Sequence, residues 1–155
     1  MTFTDRFVDV RMEVLKASPV MESTRSVAEL LVDYGLHAKT NEEVWVVAID
    51  GSRGVRSVVQ VAKGSFHDCD VAIPSVIMPV LLAGTDRFIL AHNHPSGELT
   101  ASYNDRDLTD RISRASDVLG LMFEDHVILT PAGDFYSLAG HKQMRNDTVR
   151  ASGKK

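Results

Sequence analysis

A chain of 155 residues that is 44% hydrophobic and 25% charged has the size and composition of one soluble globular domain, which excludes a disordered or collagen-like polymer. Its formal charge of −4 argues against a protein that coats nucleic acid, and a single cysteine, Cys69, leaves no internal disulfide and no cysteine-based zinc site. Apolar runs all fall short of the roughly 20 residues needed to span a bilayer, and residues 1–20 are punctuated by Asp5, Arg6, Asp9, Arg11, Glu13 and Lys16, so a cytoplasmic protein without a membrane segment is expected.

Phe3, Phe7, Val10, Val14 and Leu15 recur at helical spacing and predict a first packing helix. After Pro19, Ser26-Val27-Ala28-Glu29 has the form of a capping box, and Leu30, Leu31 and Tyr34 then lead to Gly35, which predicts a second helix. Val44 to Ile49 is a continuous apolar run rich in β-branched residues, and Asp50 to Gly54 supplies turn chemistry before Val55 to Ala62. A hairpin with a doubly buried first strand is expected.

Ser75 can cap a helix through Val76, Ile77, Val80, Leu81 and Leu82 to Gly84, with Pro79 tolerated in its first turn. Phe88 to Ala91 predicts a buried strand running into the loop His92-Asn93-His94-Pro95-Ser96-Gly97. Leu108, Ile112, Ala115 and Leu119 mark a helix closed by Gly120, with strands expected over Leu121 to Thr130 and Asp134 to Leu138. From His141 the chain turns basic: Lys142, Arg145, Arg150, Lys154 and Lys155 face only Asp147, which reads as a solvated, flexible end.

His92 and His94 are two apart at a strand end, and residues i and i+2 of an extended chain point to the same side, so both imidazoles can reach one ion. Pro95 reinforces the extended geometry. Eleven residues beyond His94, Asp105 stands at the expected start of the Leu108 helix, within Ser102-Tyr103-Asn104-Asp105. That segment alone is a helix cap, yet a carboxylate can cap with one oxygen and coordinate with the other. Two histidines and a carboxylate form a three-ligand set, the number that leaves zinc an open position for water.

His92-x-His94, then Ser102 and Asp105, with an acid upstream of a hydrophobic strand, resembles the JAB/MPN (JAMM) zinc metalloprotease signature. Phe88 to Gly97, with Asp125-His126-Val127-Ile128 and Ser137-Leu138-Ala139-Gly140, is similar to the RadC-like branch of that family over about Glu42 to Gly140. The resemblance implies an α/β fold of cytidine-deaminase-like architecture, a mixed β-sheet flanked by helices. It implies a catalytic domain over 41–140, while their own residue patterns make 1–40 a helical segment packed on the same domain and 141–155 a basic, flexible tail. Zn2+ would be held by His92, His94 and Asp105 with water as fourth ligand, and Ser102 would stabilise the oxyanion. The upstream acid would be the general base. Counting back from Asp50 favours Glu42, with Glu43 the alternative, because successive strand residues face opposite ways.

The resemblance further implies hydrolysis of a peptide or isopeptide bond in a peptide or protein substrate. The alternative is a metal-binding accessory module in DNA repair or mobile-element DNA transactions, with nucleic acid contacted only through the basic tail. The chain departs from the RadC-like pattern at Pro74-Ser75, where Pro-Arg is usual, and at Gly64-Ser65, where Gly-Thr is usual. It also lacks the helix-hairpin-helix module common upstream, which suggests the catalytic domain alone. His126 reads as a satisfied structural histidine or as a lining residue, Cys69 as a small half-buried side chain and Trp45 as core.

Overall fold

The computed structural model describes residues 19–64 and 71–143, and all structural statements concern those residues. The predicted helix over Phe3 to Leu15, Cys69 and most of the basic tail lie outside them. Nine elements follow in order: α1 (Thr24–Asp33), β1 (Glu43–Ile49), β2 (Val55–Lys63), α2 (Ile73–Leu82), β3 (Arg87–Asn93), α3 (Tyr103–Leu119), β4 (Met122–Leu129), β5 (Phe135–Ser137) and α4 (Leu138–Gln143), with a 3-10 turn at Leu36–Ala38. The five strands form one mixed sheet in the order β2-β1-β3-β4-β5. β1 runs antiparallel to both β2 and β3, β4 is parallel to β3, and β5 closes the edge antiparallel to β4.

The sheet is covered on both faces, which is why β1 and β3 read as unbroken apolar runs rather than alternating ones. On one face α1 and the 3-10 turn bury Val27, Leu31 and Leu36 against Val47, Ile49, Ile89, Ala91 and Val127. On the other, α2 and α3 bury Val76, Val80, Leu108 and Ile112 against Val44, Val46, Phe88 and Leu90. Each such fully buried aliphatic or aromatic side chain stabilises the fold by about 1.5–3 kcal/mol. A parallel β3–β4 pair needs a long crossover, and α3 supplies it. The chain therefore leaves the C-terminal end of β3, forms the His92 to Gly97 loop and enters α3 at the same end of the sheet.

Two helix starts differ from the expectation. Ser23, in extended geometry, caps α1, and Ser26 is the third helical residue that bonds back to it, so the box begins three residues before the Ser26–Glu29 pair. Serine at the third position performs the role for which Glu or Gln is the usual signal. α2 starts at Ile73 rather than after Ser75, without a side-chain cap and with proline in its first two positions. Pro74 has its φ pre-set for a first turn. Pro79 consequently lies in the helix interior, beyond the first turn. It is buried with Val76, Ile77 and Val80, and that packing outweighs the lost backbone bond. Finally, α4 continues to Gln143, past the residue at which the sequence pattern turns basic.

Candidate metal centre

β3 alternates Phe88, Leu90 and His92 toward the α2/α3 face with Ile89, Ala91 and Asn93 toward the α1 face. The strand does not end at His92: the His94 N–H donates to the Leu129 carbonyl at 2.7 Å, which prolongs the extended chain past Asn93. His92 and His94 therefore share a side, with ring centroids 4.6 Å apart and Nε2 atoms 2.8 Å apart. Asp105 reaches them from the first turn of α3. There Ser102 Oγ accepts the Asp105 N–H at 3.1 Å, and Asp105 Oδ2 accepts the Ser102 N–H at 2.7 Å. This reciprocal cap locks the carboxylate in place, with Oδ1 3.2 Å from His92 Nε2 and Oδ2 3.3 Å from His94 Nε2.

His94 Nδ1 sits 2.7 Å from the Glu98 carbonyl, which can only accept, so Nδ1 carries the proton and Nε2 offers a lone pair. That lone pair faces another imidazole nitrogen and a carboxylate. Electron-rich atoms hold such distances only with a cation among them, a proton or a metal ion. In a tetrahedral site with bonds of about 2.0–2.1 Å, neighbouring ligand atoms lie roughly 3.3 Å apart, close to the separations here. The donor set thus fits a metal ion, and it is the one cluster of three metal-capable side chains among the described residues.

The electrostatics agree. Burial pulls the His92 pKa below its ordinary 6.5, more than the hydrogen bond and charge of Asp105 push it up. For His94 burial acts in the same direction, but hydrogen bonds with Asp105 and Glu98 and the Asp105 charge outweigh it and raise the pKa. Burial alone would raise Asp105, whereas its hydrogen bonds with His92 and His94, the His92 charge and the Ser102 N–H hold it well below the usual carboxylate range.

His92 and Asp105 are buried, while His94 edges into an open cavity of about 490 Å³ lined also by Glu42, Ser102, Asp105, Glu98 and Asn104. Glu42 and Glu43 part ways at the mouth of β1. Val44 pairs directly with His92, so it shares His92's face of the sheet, and Glu42, two residues earlier, follows the same side. Glu43 is buried on the other side, where its Oε2 accepts the Trp45 indole N–H at 2.9 Å.

A family model described as the RadC-like JAB domain matches residues 21–144, from the approach to α1 through α4. The chain belongs to the RadC-like JAB domain family. It is 38% identical over 90 residues to a UPF0758 protein of Flavobacterium johnsoniae, an alignment covering 58% of this chain and 39% of that protein. A UPF0758 protein of Porphyromonas gingivalis is 31% identical over 98 residues, 63% of this chain and 43% of its own length. A UPF0758 protein of Delftia acidovorans is 31% identical over 128 residues, 83% and 56% respectively. The aligned part thus spans about half of these curated relatives.

Three further polar residues complete this RadC-like centre. Asn93, fully buried, accepts the Glu43 N–H and donates to the Lys39 and Asn41 carbonyls, so it grips the backbone on both sides of Glu42. His126 on β4 is fully buried with Nε2 2.7 Å from His92 Nδ1, and its own Nδ1 lies 2.7 Å from Thr109 Oγ1. Thr109 follows Asp105 by one helical turn, a spacing visible in the sequence, but the pairing of β3 with β4 that delivers His126 is not. Among the described residues no helix is long and apolar enough to cross a membrane.

Proposed function

We propose that this domain is a zinc-dependent hydrolase of peptide or isopeptide bonds, with His92, His94 and Asp105 as ligands, Glu42 as general base and Ser102 as oxyanion donor. The observation that carries the reading is the convergence of two imidazole nitrogens and a carboxylate on one point, beside a cavity that Glu42 and Ser102 also line. Two histidines and one carboxylate suit zinc and leave it an open position. When bound, zinc supplies Lewis acidity, polarising the scissile carbonyl and making the attacking water more acidic.

The remaining chemistry belongs to the chain. Glu42 is the cavity carboxylate outside the ligand set on His92's face of the sheet, and it takes the proton from the attacking water and delivers it to the leaving amine. Ser102 Oγ accepts the Asp105 N–H and still has its own O–H to donate, which it directs to the developing oxyanion. Asp105 remains ionised, because the bonds that hold its carboxyl low keep a proton off it, and Asn93 fixes the segment bearing Glu42.

The test is hydrolysis by the zinc-loaded full chain of panels of peptides and isopeptide-linked conjugates, with the chelator-treated protein as control. Zinc-dependent cleavage supports the reading. Stoichiometric zinc without cleavage of either panel, together with salt-dependent DNA binding lost on removing residues 144–155, supports the accessory-module alternative instead.

A further inference from the structure

We infer that His126 and Thr109 form a positioning relay that fixes the tautomer of His92 and ties two of the metal ligands together through protein alone. The Asp105 main-chain carbonyl can only accept, and Thr109 Oγ1 lies 2.6 Å from it, so the Thr109 hydroxyl proton points there. A hydroxyl has one proton. Thr109 Oγ1 therefore cannot also donate to His126 Nδ1 at 2.7 Å, and His126 must donate to it. The His126 ring is fully buried and bonds Thr109 and His92, with no carboxylate in contact among the described residues, so it is neutral. With its proton on Nδ1 it presents a bare Nε2 to His92 Nδ1 at 2.7 Å, and because two bare nitrogens would repel at that distance, His92 Nδ1 carries the proton. His92 Nε2 is left with its lone pair aimed at His94 and Asp105.

The relay runs from one ligand back to the next: His92 to His126 to Thr109 to the carbonyl of Asp105. Every member is buried, so water does not compete for these bonds. It is the counterpart of the shorter His94–Glu98 anchor, and between them both imidazoles have Nε2 selected as the metal-facing atom. A partner on the far nitrogen of a ligating histidine orients the ring and raises its basicity, and losing one typically weakens metal binding 10- to 100-fold. His126 touches neither the metal position nor the cavity, so its role is positioning.

This inference rests on the reading of His92 as a metal ligand, and the experiment separates the two. Zinc affinity is measured by competition with a chromophoric chelator for the full-length wild type and for His126→Leu, His126→Gln, Thr109→Val and Thr109→Ser. Glutamine keeps an acceptor within reach of His92 Nδ1, and serine keeps the hydroxyl. The expected result is a roughly 10- to 100-fold weaker affinity in His126→Leu, a smaller loss in Thr109→Val, and near-complete rescue in His126→Gln and Thr109→Ser. The cobalt-substituted protein should change its visible spectrum in His126→Leu and Thr109→Val only.

Wild-type affinity retained in His126→Leu and Thr109→Val overturns the relay while leaving the metal reading intact. Absence of zinc binding by the wild type overturns the metal reading itself. Where His126→Leu does not fold, Thr109→Val and the wild type still decide the matter. Long-range proton–nitrogen correlation spectra of the zinc-loaded wild type should place protons on Nδ1 of both His92 and His126, and a proton on Nε2 of His126 would refute the relay.

Discussion

On the proposed reading Asp105 carries two functions on two oxygens, helix cap and metal ligand, and substitution can divide them. In Asp105→Asn the side-chain carbonyl can still accept the Ser102 N–H now bonded at 2.7 Å, and the amide NH2 takes the place of Oδ1, 3.2 Å from His92 Nε2, where it donates to that lone pair. The α3 cap survives and the metal position is blocked. In Asp105→Ala both functions go, and a part-buried N–H loses its acceptor at a cost of about 1–3 kcal/mol. At about 2–4 °C per kcal/mol for a domain of this size, the alanine variant should melt roughly 2–12 °C below the asparagine variant, and both below the metal-free wild type, because each also loses the carboxylate's bonds with His92 and His94. A one-quarter share of the about 10–16 kcal/mol typical of a four-ligand zinc site is roughly 2.5–4 kcal/mol, so both variants should bind zinc roughly 10²–10³ times more weakly. Chelator competition gives the affinities, and thermal denaturation of the chelator-treated proteins gives the stabilities. Zinc binding by Asp105→Asn within threefold of wild type would refute the assignment of Asp105 as a ligand. Equal melting of the two variants would refute the division of labour between the oxygens.

Other outcomes follow from the same geometry. Glu42→Gln should retain zinc while hydrolysis falls roughly 10²- to 10⁴-fold, and Glu43→Gln should leave turnover within a few-fold because its side chain bonds Trp45 on the opposite face; the reverse pattern would move the base by one residue. His94 has its pKa raised above 6.5, so its contribution to the metal-free fold is full below 6.5 and lost as pH rises through the raised value, whereas ligation needs the neutral ring. Zinc uptake near pH 6.5 should therefore release a proton, measurable by calorimetry in buffers of different ionisation enthalpy, and His94→Ala should abolish that release. Asp125 accepts from Thr24, Ser137 and the main-chain N–H groups of Ala139 and His126, so Asp125→Ala strands four donors. A loss of about 3 kcal/mol, or roughly 6–12 °C in Tm, is expected, and an unchanged melting temperature would show that α1 and α4 do not depend on this carboxylate.

What can be read from the chain divides along a physical line. His92 and His94 are legible as a pair because the two-residue period of an extended chain is local, and Asp105 because a helix cap declares itself within four residues. The sheet is legible from apolar runs too short for helices and bounded by turn residues. The start of α2 is not, because its first residues lack a side-chain cap and the helix is held by buried Val76, Ile77 and Val80, a tertiary effect. Glu42 and Glu43 differ only in the face they occupy. Which of them shares a face with His92 depends on the pairing of Val44 with His92, a relation between strands almost fifty residues apart that no local pattern records. His126 is obscure for the same reason, since only the parallel register of β4 on β3 brings it under His92.

The two-residue alternation of β3 also explains why one tripeptide reaches both faces of the sheet at this site. In His92-Asn93-His94 the two imidazoles point toward α3 and the amide between them toward the opposite face, so the middle residue is no freer than its neighbours. Its carboxamide has one acceptor and two donors in use, on the Glu43 N–H and on the Lys39 and Asn41 carbonyls, and leucine or alanine there would strand all three backbone groups beside the segment that carries Glu42. On the proposed reading the ligands come from β3 and α3 and the base from the lead into β1, and their relative placement needs a connection that does not pass through the metal. Asn93 is that connection on one face of the sheet, while on the other the His126–Thr109 chain ties His92 to Asp105. On the proposed reading, metal binding replaces a proton held among these three lone-pair donors.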